Sequence, residues 1–115
     1  MVALAVALAA PVFAYGRMAG NIRAERVTIT RGGVVSVDSL AIRTHVGGQK
    51  LRSLEAIARR VRFASLTPNT ICTASLPDFA TRYITYGGHT VRVRGSCSKR
   101  FNTLYSALGR ATGVP

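Results

Sequence analysis

The chain has 115 residues and carries 16 lysines and arginines against 4 acids, a net charge of +12. That length holds one domain with a core large enough to fold alone, and the four acids, Glu25, Asp38, Glu55 and Asp78, are too scattered for the paired carboxylates of acid–base catalysis. The charge favours anionic partners such as nucleic acid, envelope or lipid phosphates, acidic polysaccharide or an acidic protein face. A plainer reading competes with this: arginine far outnumbers Lys50 and Lys99 and alanine is abundant, as GC-rich coding produces, with no dedicated anion site.

Residues 1–14, MVALAVALAAPVFA, hold no charge and end with Val12 and Ala14 at the positions a signal peptidase inspects, which predicts a cleavable secretory signal over 1–14. No lysine or arginine precedes the apolar run, and an uncleaved anchor is the alternative. A stable transmembrane span is disfavoured, because spanning takes about 20 apolar residues and Gly16 and Arg17 interrupt the run. With a cut after Ala14 the mature chain starts at Tyr15. Residues 15–24 then read as a flexible basic arm with Arg17 and Arg23, ahead of a single domain over 25–113.

ERVTITR alternates Val27 and Ile29 against Arg26, Thr28 and Thr30, the period of a half-buried strand. Gly32-Gly33 supply a hairpin turn, and a three-residue loop through Val34 with a glycine bulge places Ile29 opposite Val37. The returning strand, VSVDSLAIRTH, changes phase between Val35/Val37 and Leu40/Ile42, which predicts a second bulge near Asp38 and Ser39. QKLRSLEAIARRVRFA then repeats Leu51, Leu54, Ile57, Ala58, Val61 and Ala64 at helical spacing, with Arg52, Glu55, Arg59 and Arg62 on the other face and Glu55/Arg59 as an exposed pair. SLTPNTICTASLPDF reads as a long loop.

RYITYGGHTVRVR predicts a hairpin with a two-residue Gly87-Gly88 turn, pairing Ile84 with Val91, Tyr86 with His89 and Arg82 with Val93. One face holds Ile84, Tyr86, Val91 and Val93; the other holds Tyr83, Thr85, Thr90, Arg92 and Arg94. Ser98 is an N-cap, Phe101, Leu104, Tyr105 and Leu108 follow at helical spacing, and Gly113 is the stop. The predicted fold class is therefore α+β, ββαββα: a four-stranded, mostly antiparallel sheet with two helices packed on one face. Cys72 and Cys97, the two cysteines, predict one disulfide closing a loop of about 25 residues; they lack both zinc-ligand neighbours and a Cys-x-x-Cys spacing. Such a bridge places the protein outside the cytoplasm, secreted or periplasmic.

For chemistry, His45 ends a strand and His89 flanks a turn, and no nucleophile elbow, metal set, P-loop or dinucleotide fingerprint is present, so no enzymatic role, metal or cofactor is predicted. The candidate anion-binding residues are Arg92 and Arg94 beside Tyr83, with Lys99 and Arg100 at the start of the last helix. The last two oppose the helix dipole, a cost that a bound anion would offset.

The first-strand ITRGG at 29–33, one amphipathic helix, then Asp78-Phe79 leading to RYITYGGHTVRV and a final helix with FNTLYSAL, resemble the layout of emfourin-type inhibitors of thermolysin-like metalloproteases over about 25–112. The strong basic charge and the cysteine pair depart from that pattern. The resemblance implies a non-catalytic protein that occupies a protease cleft through exposed loops or strands. The combined expectation is a secreted binding protein with a protein partner, the alternative being a binder of anionic envelope polymer or nucleic acid through its basic face.

Overall fold

The computed structural model describes residues 10–18, 23–73 and 80–115. The elements run β1 (Phe13–Met18), β2 (Glu25–Ile29), β3 (Val34–Val37), β4 (Leu40–His45), α1 (Gly48–Arg60), β5 (Asn69–Ile71), β6 (Thr81–Tyr86), β7 (His89–Arg94) and α2 (Lys99–Thr112). The strands form one seven-stranded sheet ordered β4-β3-β2-β1-β6-β7-β5. Over the described residues the protein is α+β with two helices and a disulfide, as predicted, but with seven strands rather than four and the order ββββαβββα rather than ββαββα.

The largest correction is at the N-terminus. The segment read as the end of a leader and the start of a flexible arm is, over Phe13–Met18, the strand on which both hairpins are hung. It pairs antiparallel with β2, Phe13 opposite Ile29 and Tyr15 opposite Val27, and with β6, Phe13 opposite Tyr86 and Tyr15 opposite Ile84. Phe13 and Tyr15 are 0% exposed and Ala14 1%. Ala14 and Gly16, which alternate with Phe13 and Tyr15 on the other face, are small rather than polar, so the period-2 signal is hidden inside a leader-like composition. Residues 1–9 of the predicted signal and 19–22 of the predicted arm lie outside the described residues.

The first hairpin has a three-residue loop, but at Arg31–Gly33: Ile29 lies opposite Val35, and the Thr30 amide donates to the Val34 carbonyl. Gly33, at φ 87°, is obligatory here, since a Cβ on it would sit 2.1 Å from the Val46 carbonyl oxygen. The predicted bulge at Asp38 and Ser39 is instead a two-residue turn between separate strands. Both residues adopt positive φ, 51° and 72°, and Val37 pairs with Leu40. The phase change is thus a chain reversal. Asp38 tolerates this conformation and is held there, its Oδ1 accepting the Arg26 amide at 3.0 Å and its own amide donating to the Arg26 carbonyl at 2.8 Å.

Helix α1 buries Leu51, Leu54 and Ala58 but ends before the predicted Ala64. Arg62 turns left-handed at φ 56°, and a 3-10 turn over Phe63–Ser65 carries Phe63 into the core. Glu55 pairs with Arg31 of the first loop, not with Arg59. Within the predicted long loop, residues 69–71 form β5, parallel to β7, while 74–79 with Asp78 lie outside the described residues. The Cys72–Cys97 bridge, with Cα atoms 5.8 Å apart, pins the end of β5 to the exit of β7. Closing its loop constrains the unfolded chain by roughly 3.5 kcal/mol.

The second hairpin pairs as predicted, Ile84 with Val91, Tyr86 with His89 and Arg82 with Val93. Ser98 caps α2 by accepting the Phe101 amide, and Gly113 ends it left-handed. The inward residues of β1, β2, β3, β6 and β7 form one core with Leu51, Leu54, Ala58, Phe101, Leu104 and Leu108, so both helices cover the same sheet face. Among the described residues no helix is long and apolar enough to cross a membrane.

Phe13 stacks on Tyr86 at 4.6 Å between ring centroids, so Phe13→Ala should cost about 3–5 kcal/mol in denaturant unfolding; an unchanged midpoint would show that β1 is not built into the folded protein. The Tyr15 hydroxyl donates to the Val114 carbonyl at 2.6 Å and contacts Thr112 Oγ1. Burial, partly opposed by Thr112, pushes its pKa from 10.0 to about 12. Because the folded state holds this proton more tightly, the associated stability is complete below pH 10 and should be lost as pH rises from there to about 12. Alkaline unfolding of wild type against Tyr15→Phe measures this, and the variant should lack that share of the decline.

Candidate binding face

Among the described residues no helix packs on the opposite face of the sheet, and the strand registers set its side chains in rows. Thr90, Thr85, Ala14, Thr28, Ser36 and Ala41 align across six strands. The paired Thr85 and Thr90 hydroxyls are 2.8 Å apart. The next row runs Asn69, Arg92, Tyr83, Gly16, Arg26, and beyond it Ile71, Arg94, Thr81, Met18. Between β5 and β1 these rows enclose a groove of about 320 Å³ lined by Met18, Asn69, Ile71, Thr81, Arg92 and Arg94.

Gly16 gives the second row its shape. The β2 backbone approaches so closely that a Cβ on Gly16 would lie 1.9 Å from the Glu25 carbonyl oxygen. With no side chain at Gly16, Tyr83 reaches β2, its hydroxyl donating to the Glu25 carbonyl at 3.5 Å, near the charge of Arg26. Tyr83 is consequently only 7% exposed. Burial pushes its phenol above the ordinary value, and neighbouring Arg26 partly opposes this. Arg92 and Arg26 stand exposed on either side of it.

Of the five residues singled out in the sequence, Arg92, Arg94 and Tyr83 share this face, with Tyr83 withdrawn beneath its neighbours. Lys99 and Arg100 belong to α2, which packs against the other face. Arg100 donates to Ser65 Oγ at 2.9 Å and to the Arg62 carbonyl at 3.4 Å. It therefore places its cation just beyond the C-terminal end of α1, where that helix dipole favours positive charge, and this contact opposes the cost at its own helix start without any bound anion. Sequence reading missed Arg26 and Ile71 as members of the face. Arg26 was already assigned to the polar side of its strand, but its approach to Tyr83 requires β1 between them.

Arg82, between Arg17 and Val93 in the sheet, has a different role. It lies on the helix side, its guanidinium 5.2 Å from the Phe101 ring centroid and 5.1 Å from that of Tyr105. It donates to the Gly95 carbonyl at 2.8 Å and to Asn102 Oδ1 at 2.7 Å. Burial lowers its pKa, yet arginine remains cationic at neutral pH. This side chain clamps β6 to the start of α2.

Each histidine has Nε2 2.9 Å from a backbone carbonyl, His45 from Gly32 and His89 from Leu66. Three of the acids have scaffold partners: Glu25 lies 3.7 Å from Arg17, Glu55 pairs with Arg31, and Asp38 accepts the Arg26 amide. Among the described residues no group of three His, Cys, Asp or Glu could hold a metal ion.

The two kinds of arginine should separate experimentally. Arg82→Gln, which strands the Gly95 carbonyl, should lower unfolding free energy by roughly 1.5–3 kcal/mol, whereas Arg92→Gln should stay within about 0.5 kcal/mol of wild type; equal losses would mean that Arg92 also supports the scaffold. Compared with protein-family models, curated proteins and solved structures, the chain matches none.

Proposed function

We propose that this is a non-enzymatic binding protein that works outside the cytoplasm and seats an acidic protein surface on the sheet face opposite α1 and α2. One observation carries the reading: Arg26, Arg92 and Arg94 lie on a face that neither helix covers, beside an Ile71 that is 71% exposed. Cations around an apolar residue suit a protein surface, whose core contact is apolar and whose rim is charged. The disulfide supports an oxidising compartment. The histidines facing backbone carbonyls and the three described acids engaged in the scaffold support a non-catalytic role. The resemblance to metalloprotease inhibitors makes a protease the first partner to try.

Attachment to an anionic polymer or nucleic acid is the second reading, favoured by the same arginines. It is weakened for nucleic acid by the burial of Tyr83, which removes the aromatic platform on which a base would stack.

The test is inhibition of a panel of thermolysin-like and serine proteases at micromolar protein, together with elution from heparin. On the protein-partner reading, both Arg26→Ala/Arg92→Ala and Ile71→Ser weaken inhibition. On the polymer reading, only the arginine variant elutes earlier, losing about one unit of salt slope per arginine, and Ile71→Ser changes nothing. No inhibition, with heparin elution equal in wild type and the arginine variant, would remove this face from both readings.

A further inference from the structure

We infer that a pocket at the end of α1 takes a small molecule made of one aromatic ring and a carboxylate, the ring packed on Tyr86 and the carboxylate held by Arg59 and Arg62. The pocket lies on the helix side of the sheet, and it stands or falls independently of the face proposed above.

The backbone at Arg62 is the first indication. α1 is capped at Val61, and the next residue, Arg62, turns left-handed at φ 56° and ψ 53°. Glycine is the ordinary occupant of that position, because a side chain there crowds the backbone. The local fold makes no demand for arginine. The Arg62 amide donates to the Arg59 carbonyl at 2.9 Å, and its carbonyl accepts the Ser65 amide at 3.0 Å, Ser65 Oγ at 2.7 Å and the Arg100 guanidinium at 3.4 Å. These are main-chain contacts that a glycine would make as well. The Arg62 side chain itself is exposed, and among the described residues it meets no carboxylate, hydrogen-bond acceptor or ring. Backbone strain kept under a side chain that the scaffold does not engage is a feature of ligand sites.

Beside that side chain is a cavity of about 290 Å³ between the last turn of α1, the 3-10 turn and the Gly87-Gly88 turn. Its apolar lining is Ala58, Phe63, Ala64 and Tyr86, and its charged members are Arg59 and Arg62. The volume is at the small end of ligand sites, room for one ring with a short arm. Tyr86 is half-buried and already fixed, stacked on Phe13 at 4.6 Å and edge-on to Phe63 at 6.2 Å between centroids, so an aromatic surface is in position before anything binds. Arg59 is exposed as well, since Glu55, one turn earlier, is engaged by Arg31. Two guanidiniums that no described carboxylate neutralises, next to an aromatic wall, complement a carboxylate on an aromatic body. A bare phosphate would leave the wall unused, and a neutral aromatic would leave the cations unmatched.

The experiment is titration of the disulfide-bonded protein with phenylacetate, followed through its backbone amides by heteronuclear NMR, beside its neutral isostere phenylacetamide and inorganic phosphate. Phenylacetate should move the Phe63, Ala64 and Gly87 amides saturably at millimolar concentration, and the other two probes should each bind roughly tenfold or more weakly. Arg62→Gly removes the left-handed strain together with the cation, so its denaturant midpoint should be at or above that of wild type while phenylacetate affinity falls roughly tenfold. Arg59→Gln should lose affinity similarly with its midpoint unmoved, and Arg52→Gln, the same charge change elsewhere on α1, should lose none. Absence of saturable shifts at those three amides, equal binding of phenylacetamide or phosphate, or equal loss in Arg52→Gln would overturn the inference. So would a lowered midpoint in Arg62→Gly, which would make arginine a scaffold residue there. Protease inhibition and heparin elution through Arg26, Arg92 and Ile71 are untouched by any of these results.

Discussion

Two aromatic side chains, Phe13 and Tyr15, must be seated between the hairpins before the sheet can be continuous. β1 has a hairpin on each side: β2, β3 and β4 extend from one edge of it, and β6, β7 and β5 from the other. Phe13 leads into one aromatic chain, stacking on Tyr86, which meets Phe63, with His89 against Phe63. Tyr15 leads into another, meeting Tyr105 edge-on, then Phe101, with the Arg82 guanidinium over both of those rings. The Tyr15 hydroxyl also reaches Thr112 and Val114 at the far end of α2. One strand therefore carries core contacts from the beginning of the described chain to its last helix.

Ala14 and Gly16, the alternate residues of that strand, shape the other face. At Gly16 the missing side chain leaves room for the Glu25 carbonyl of β2 and lets the Tyr83 hydroxyl reach it from β6. The same six residues thus supply a bulky side to the core and a nearly bare side to the solvent-facing sheet. This explains why the aromatic nominated for stacking is packed away, leaving Arg92 and Ile71 as the prominent groups.

The net charge conceals a division of labour. Arg82 and Arg100 hold α2 to β6 and to the end of α1, while Arg17 and Arg31 meet Glu25 and Glu55 across element boundaries. Arg26 and Arg92 point outward from the uncovered sheet. A lysine would serve poorly at Arg82, because a planar fork is needed to reach a carbonyl and an amide oxygen while lying over two rings. Abundant arginine is therefore partly structural, whatever coding bias contributes.

Local pattern was enough for the elements whose partners are close in sequence. The Gly87-Gly88 hairpin, the Ser98 cap and the Gly113 stop depend on turn chemistry and helical spacing within a few residues, and the Cys72–Cys97 pairing was determined by there being only two cysteines. Other features depended on distant partners. Phe13–Met18 is a strand because Glu25–Ile29 and Thr81–Tyr86 satisfy its backbone on both sides, and its apolar composition alone equally describes a leader. Asp38-Ser39 is a reversal because the Arg26 backbone holds Asp38 in a positive-φ conformation, and Asn69–Ile71 is a strand because β7 is already in place. The sequence by itself thus determined the α+β class, the bridge and the basic balance, all carried by composition and short-range spacing. Only tertiary structure decided that Phe13–Met18 belongs to the sheet and which arginines face outward, because both depend on pairings between residues up to tens of positions apart.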